Sequence, residues 1–150
     1  TASICAGSLF GEAFVCAGIP HLPVDIVAAE DCTIMFLKGK KLLNTCDNGC
    51  KFHHTLIRNL LGIVAQNNMY LNQKIKYTSR KTTREKLMAY LTDQAKMKGS
   101  NDFTIPFNRQ ELADYLGVER SAMSAELGKL TKLGILQTQR SHFTLLKPLD

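Results

Sequence analysis

A short stretch in the last third of the chain carries side chains that can read the edges of base pairs. Arg120 offers a guanidinium for bidentate contact with guanine, and Ser121 and Ser124 offer hydroxyls for bases or phosphates. Ala125 and Gly128 lie on the same helical face as Ser121 and Lys132, with Ser124 at its edge, and residues this small let a helix backbone come close to its target. The pattern predicts a helix that enters the major groove of DNA with its N-terminal end near the bases.

Polar and basic residues also lie on both sides of this predicted helix. Phosphates attract cations and hydrogen-bond donors whatever the base sequence, so such residues position a duplex rather than read it. Together with the helix residues, the expected DNA-binding set is Asn108, Arg109, Arg120, Ser121, Ser124, Gln139, Arg140 and His142.

The order of the surrounding elements is that of a winged helix-turn-helix. Asn108 is a good N-cap, and Glu111 three residues later can complete a capping box, so a short helix begins here. Gly117 ends it, a second helix runs to Gly134, and residues 135–146 form a hairpin. Helix, turn, helix and hairpin in this order favour DNA binding. The alternative is a winged helix that has become a protein-interaction module.

Residues 50–78 are predicted to form one long helix with two adjacent apolar seams, followed by a helix over 82–98. A helix with two seams can contact its own domain and a second copy at once, and a polar residue within a seam can fix the register. The predicted dimer interface is Ile57, Leu60, Leu61, Val64, Asn68, Leu71 and Ile75. A wide-faced helix buried within a monomer is the alternative.

The charge of the chain is divided unevenly along its 150 residues. Residues 1–37 hold four acids and no Lys or Arg, a net charge of −4. Residues 38–150 hold all 19 bases and the other nine acids, a net charge of +10. The basic part is a candidate for binding a polyanion, although many small domains are mildly basic. No apolar run is long enough for a membrane helix and no secretory signal is visible, so we expect no membrane partner and a cytoplasmic location.

Two other kinds of chemistry are weaker hypotheses. Cys46, Cys50, His53 and His54 could sense metal or redox state at the start of the long helix, but their spacing fits no standard zinc or cluster pattern. We therefore expect no metal and no cofactor, and free thiols rather than disulfides. No nucleophile elbow, P-loop, HExxH or paired-carboxylate motif occurs, so the chain is not expected to be an enzyme.

The first 45 residues are predicted to be strands and turns. Val24 and Ile26, and then Cys32, Ile34 and Phe36, alternate with their neighbours at the period of a strand. Three or so strands make a poor core on their own, so we expect them to be part of something larger.

The segment FTIPFNRQELADYLGVERSAMSAELGKLTKLGIL resembles the DNA-binding signature of the cyclic AMP receptor protein/fumarate-nitrate regulator (CRP/FNR) family. SRKTTREKLMAYL resembles the helix before it, residues 50–78 the long dimerisation helix, and FGE with PVDIVAAED the second half of the sensor β-roll. The resemblance implies an α+β fold: a partial β-roll of the cyclic-nucleotide-binding jelly-roll type (1–45), a dimerisation helix (46–78) and a winged helix-turn-helix (79–150).

The resemblance further implies a transcriptional regulator that binds double-stranded DNA as a homodimer on a two-fold symmetric operator. RNA polymerase and an unidentified small-molecule effector are the other implied partners. Gly11 and Glu12 match the first pair of the family's nucleotide pocket, but Leu22 and Pro23 stand where Arg-Ser or Arg-Thr holds the phosphate. We therefore expect no response to cyclic AMP through the usual pocket. The family's β-roll begins well before FGE, so we expect its first strands to be absent from this sequence, either because the chain is truncated or proteolysed or because the roll is incomplete.

Overall fold

The computed structural model describes residues 4–43 and 50–146, except for the side chain of Lys40. The described elements are α1 (Glu12–Cys16), α2 (Gly39–Leu43), α3 (Lys51–Thr78), α4 (Thr83–Lys98), β1 (Asp102–Thr104), α5 (Arg109–Leu116), α6 (Arg120–Lys132), β2 (Leu136–Gln139) and β3 (His142–Leu145). The chain forms two compact units, Thr1–Met69 and Tyr70–Asp150, which divide within α3. The domain limits at 45 and 78 stay a prediction. Among the described helices, none combines the length and the hydropathy needed to span a bilayer.

The part of the first unit before α3 is built from two short helices that pack on each other, α1 and α2. The prediction of strands in this region is wrong for the described residues, since 24–38 have no strand structure and 4–43 contain no paired strand. A strand needs ladder hydrogen bonds from a neighbour, and the alternating residues Cys32, Ile34 and Phe36 have no paired segment among the described residues. The apolar pattern alone therefore does not fix their backbone here. The jelly-roll architecture is not confirmed.

The long helix is confirmed at nearly its predicted limits, because α3 runs over 28 residues from Lys51 to Thr78. The helix that follows is also confirmed. Thr82 forms a capping box with Glu85 at the start of α4, and Gly99 ends α4 in the left-handed conformation (φ 64°).

The first helix of the helix-turn-helix, α5, begins and ends at the predicted caps. The side chain of Asn108 accepts a hydrogen bond from Glu111 N at 3.0 Å, while the Glu111 carboxylate accepts one from Asn108 N at 2.7 Å. Gly117 closes α5 with a φ of 60°, a conformation that favours glycine. The second helix, α6, ends at Lys132 with Leu133 as its C-cap, slightly before the predicted Gly134.

The three strands form one antiparallel sheet in the order β1-β3-β2. In β1 and β3, Phe103 pairs with Phe143, and in β2 and β3, Gln139 pairs with His142 across a two-residue turn. The predicted hairpin is thus confirmed, and β1 adds a third strand to it. The structure is a mixture of helices and a small antiparallel sheet.

One hydrophobic core lies in the second unit, under α4, α5, α6 and the sheet. Each of these elements contributes side chains that are almost completely shielded from solvent, among them Leu87, Leu91, Leu112, Leu116, Met123, Leu130, Leu136 and Phe143. At one side, the rings of Tyr77, Tyr90, Tyr115 and Phe107 lie within 5.0–6.2 Å of their neighbours. This core holds α6 in place from behind and leaves its other face to solvent.

Candidate nucleic-acid interface

The α6 helix has a buried face and an exposed face, as the spacing predicts. Met123, Leu127 and Leu130 are buried in the core. The opposite face is exposed and consists of Ser121, Ala125, Gly128 and Lys132, with Ser124 at its edge. Arg120, the first residue of the helix, is also exposed. A Cβ added at Gly128 would meet no atom within 4 Å, so this position is open to solvent. A flat, weakly obstructed helix face with one arginine at its start can lie in a major groove.

The first turn of α6 leaves its backbone donors open. Glu119 is the N-cap but its side chain makes no capping hydrogen bond. Its carboxylate instead accepts a long hydrogen bond from the Ser121 hydroxyl, at 3.5 Å. The unpaired N–H groups of a helix N-terminus attract anions such as phosphate. Arg120 follows directly and is exposed, so base-edge and phosphate donors lie at the same end of the helix.

The turn between α5 and α6 is fixed by a small residue and by a lysine. Ala113 is completely buried, which lets the two helices pack closely. Lys86 on α4 donates a hydrogen bond from Nζ to the carbonyl oxygen of Gly117 at 3.2 Å. The start of α6 is therefore tied to α4 as well as to α5.

The tip of the hairpin presents the predicted polar residues to solvent. Gln139 and Arg140 are exposed, and Arg140 has a φ of 54°, in the left-handed region where non-glycine residues are uncommon. A two-residue turn between strands requires such a conformation. The arginine is thus held at the most projecting point of the hairpin despite a local backbone cost.

His142 is placed differently, because its ring binds the neighbouring strand. Nε2 lies 3.0 Å from the Asp102 carboxylate, and Nδ1 lies 3.1 Å from the Thr104 hydroxyl. Asp102 also accepts a hydrogen bond from the Thr144 hydroxyl at 3.0 Å. In this structure His142 joins β1 to β3, and a phosphate contact would compete with these bonds.

Arg109 also differs from the exposed phosphate contact that the sequence predicts. Nη2 donates a hydrogen bond to the Thr138 hydroxyl at 2.6 Å, and the guanidinium lies 4.9 Å from the centre of the Phe143 ring. Nη1 is shielded from solvent and has no hydrogen-bond partner in the described part of the chain. Burial lowers the pKa of Arg109, but a guanidinium stays charged at neutral pH.

A groove of about 360 Å³ runs between α6 and the hairpin. Residues from three elements line it: Arg109, Ser124, Leu127, Gly128, Thr131, Lys132 and Thr138. The structure therefore brings Ser124 and Arg109 to one depression. Asn108 is exposed but its side chain is used in the α5 cap, whereas Gln139 and Arg140 lie at the hairpin tip.

The predicted effector residues lie in the first unit. Gly11 adopts a φ of 80° as the N-cap of α1. Glu12 accepts a hydrogen bond from Asn67 Nδ2 on α3 at 2.7 Å. The Glu12 carboxylate is thus engaged with the long helix, and its role in an effector pocket stays a prediction.

The seam residues of α3 divide into exposed and half-buried groups. Leu61, Leu71 and Ile75 are 64%, 55% and 60% exposed, which is high for large apolar side chains within a helix. Asn68 is also exposed, while Ile57, Leu60 and Val64 are half-buried. The seam therefore presents apolar area to solvent in the single chain.

The cysteine–histidine group is only partly described, because Cys46 lies outside the described residues. Cys50 Sγ lies 3.5 Å from His53 Nδ1, a contact within one helical turn, and His54 is exposed. Within residues 4–43 and 50–146, no three His, Cys, Asp or Glu side chains are grouped as metal ligands. Metal or redox sensing by this group stays a hypothesis from the sequence.

Several residues that organise this interface were not among the predicted ones. Lys86 and Thr138 each bind a partner about 30 residues away, and Ser141 donates a hydrogen bond to the Phe107 carbonyl at 2.9 Å. No local pattern marks them, because a serine, threonine or lysine on a predicted surface is ordinary.

Comparison with known protein families identifies the part of the chain that contains α5, α6 and the hairpin. Residues 85–149 match the family model described as the Crp-like helix-turn-helix domain. Over these residues the match confirms the resemblance to the CRP/FNR family. No curated protein matches the chain.

Proposed function

We propose that this chain is a sequence-specific regulator that binds a two-fold symmetric operator as a homodimer, because residues 85–149 match the model of the Crp-like helix-turn-helix domain, which is typical of DNA-binding transcription regulators. The observation that carries the proposal is the exposed face of α6, which lies directly opposite a closed core. This face has one arginine at its start and small residues along its length, so it can approach DNA without rearrangement of the domain.

In the proposed complex, α6 lies in the major groove and Arg120 reads a base. A bidentate contact to guanine O6 and N7 is the most selective bond that an arginine makes there. Ser121 and Ser124 lie on the same exposed face and supply hydroxyls to bases or phosphates. Ala125 and Gly128 let the helix axis sit deep in the groove.

Contacts to the DNA backbone come from the start of α5 and from the hairpin. Arg140 at the hairpin tip is the strongest candidate because it is a fully charged and exposed donor. Gln139 and Asn108 carry no charge, and the His142 ring is bonded to Asp102 and Thr104, so these three residues contribute less to the salt dependence of binding.

The proposed homodimer forms through α3. Association would cover the exposed apolar side chains of Leu61, Leu71 and Ile75, and Asn68 within the seam would fix the register. Replacing Leu71 by Asp places a charge in the seam and should convert the dimer to monomer. Gln73→Asp puts the same charge on an exposed position outside the seam and should leave the dimer intact, as measured by sedimentation.

The effector and its consequences for transcription belong to the same proposal. Residues 1–37 contain no Lys or Arg, so this region supplies no cation for the phosphate of a cyclic nucleotide. We propose that any effector of this protein is not a cyclic nucleotide and binds to the first unit near Glu12. We also propose that the dimer on DNA contacts RNA polymerase. Neither partner is needed for the DNA-binding test.

The decisive experiment is selection of bound sequences from random duplex DNA with the full chain. A two-fold symmetric consensus with half-sites about one helical turn apart supports both DNA reading and the dimer. Failure to enrich any sequence, at low salt as well as at physiological salt, would contradict the proposed function.

Arg120→Ala then tests the assignment of base reading. We expect a loss of about 1–3 kcal/mol on the selected duplex and relaxed specificity at one base pair in each half-site. Lys96→Ala removes one exposed positive charge from the end of α4 and serves as the matched control. Equal losses of Arg120→Ala on selected and random duplexes would show that Arg120 binds phosphate instead.

A further inference from the structure

We infer that Arg109 is a positioning residue, which holds the β2–β3 hairpin at the angle where Arg140 reaches the DNA backbone, and that it is not itself the phosphate contact. This inference rests on the proposed function, and it names the part of the chain that aligns the second point of DNA contact.

The surroundings of the guanidinium leave little of it available to a ligand. Its Nη2 is bound to Thr138, one face lies over Phe143, and Nη1 is shielded from solvent. A phosphate could reach it only if the hairpin moved away from α5. A contact made by Arg140 needs no such movement, since Arg140 is exposed.

Thr138, the acceptor of the hydrogen bond from Arg109, connects α5 to the hairpin. The Thr138 hydroxyl accepts from Arg109 and donates to the carbonyl oxygen of His142 at 3.0 Å, so one hydroxyl joins α5 to both strands of the hairpin. These strands are the two that meet at the Arg140 turn.

A second set of bonds fixes the other side of the turn. Ser141 donates from its hydroxyl to the Phe107 carbonyl at 2.9 Å, and Ile105 N donates to the Ser141 carbonyl at 3.0 Å. The hairpin tip is therefore anchored at Ser141 and at Thr138, on opposite sides of Arg140. Loss of either anchor lets the tip pivot about the other.

Thr138→Val tests the inference because it keeps the shape of the side chain, removes the hydroxyl and leaves the Arg109 charge in place. On the selected duplex we expect about tenfold weaker binding, similar to Arg140→Ala, and a salt dependence reduced by about one phosphate contact. Thr138→Ser keeps the hydroxyl and should bind as the wild type does. Thr131→Val is the matched control, because it lies in the same groove but its hydroxyl bonds only within α6, to Leu127 O.

The double variant Thr138→Val/Arg140→Ala separates positioning from simple loss of stability. If Thr138 acts through Arg140, the double variant binds no more weakly than Arg140→Ala alone. A fold merely weakened by the valine would instead add its loss to that of Arg140→Ala and would lower the thermal midpoint in parallel.

Two results would overturn the inference. One is wild-type affinity of Thr138→Val together with a reduced salt dependence of Arg109→Gln, which would make Arg109 a direct phosphate contact. The other is unchanged hydrogen exchange of the amides of residues 136–145 in Thr138→Val, measured without DNA, which would show that no anchor was lost. A wild-type chain that selects no duplex sequence contradicts the proposed function, whereas the exchange experiment still tests the anchor.

Discussion

The two compact units of this chain bury their apolar residues to very different extents. No described residue between 4 and 69 is buried, although this stretch holds Val24, Val27, Met35 and Phe36 with large exposed surfaces. The second unit holds the whole described core, in which eleven side chains are no more than 2% exposed. A hydrophobic sequence is therefore not sufficient for a core, because burial needs elements that can cover one another from several sides.

The difference also explains where precise geometry is available for function. In the second unit α6 is held by α4, α5 and β2, so its exposed face has a defined position. In the first unit the predicted effector residues lie on a short five-residue helix, whose Glu12 is held by one side-chain bond to α3. The exposed face of α6 in the second unit is therefore held by more elements than the predicted effector residues of the first unit are.

Matched phenylalanine substitutions give the largest expected contrast. Phe143 is completely buried and stacks on Phe103, whereas Phe36 is 89% exposed. Phe143→Ala should lower the free energy of unfolding of the second unit by about 3–5 kcal/mol, and Phe36→Ala should change it by less than about 0.5 kcal/mol. Urea denaturation followed by circular dichroism measures both. A large effect of Phe36→Ala would show that the first unit contributes to the same cooperative core.

Alkaline pH should separate the units by a second route, because all four tyrosines lie between residues 70 and 115. Burial raises the pKa of Tyr90 and Tyr115, and burial together with the hydrogen bond to Asp93 raises that of Tyr77. Below pH 10 these tyrosines are neutral in both states and stability is fully present. Above pH 10 the unfolded chain ionises first, so stability falls by up to about 1.4 kcal/mol per pH unit for each of Tyr77 and Tyr90.

Tyr90→Phe provides the control for this effect, since it keeps the ring and removes the ionisable group. Its free energy of unfolding should fall less steeply above pH 10, by the contribution of one tyrosine. An identical pH dependence in the variant and the wild type would show that Tyr90 ionises normally in the folded chain.

Local signals in the sequence predicted most of the second unit, for a physical reason. Helix caps such as Asn108–Glu111 and the left-handed Gly117 are satisfied within a few residues, so the information lies in the segment itself. The buried and exposed faces of α6 also follow from the 3.6-residue period alone. These features predict that Ser121, Ala125 and Gly128 lie on one exposed face of α6, and the structure shows all three exposed.

Features that depend on distant segments were not predictable in the same way. The alternation of Cys32, Ile34 and Phe36 predicts a strand, but strand formation depends on a partner that the pattern does not specify. The bond from Arg109 to Thr138 spans 29 residues, and the bond of Lys86 to Gly117 spans 31. The role of an arginine as an anchor or as an exposed contact is decided by such pairings.

The smallest expected contrast comes from two glycine-to-alanine substitutions with opposite effects on stability. A Cβ at Gly128 in α6 meets nothing within 4 Å, so Gly128→Ala should stabilise the second unit by about 0.5–1 kcal/mol through helix propensity. A Cβ at Gly39 in α2 would overlap the Val15 side chain, so Gly39→Ala should loosen the packing of α1 on α2 by about 1 kcal/mol. Hydrogen exchange at the amides of each helix measures both changes in one experiment.

DNA binding by the same Gly128→Ala variant then shows why a stability-lowering residue stands on the exposed face. If the helix backbone approaches the duplex closely at Gly128, the variant is more stable than the wild type but binds the selected duplex more weakly. If the glycine is only tolerated, stability rises and affinity is unchanged. The first result would mean that glycine at position 128 lowers the stability of α6 and in return lets the helix backbone approach the duplex closely.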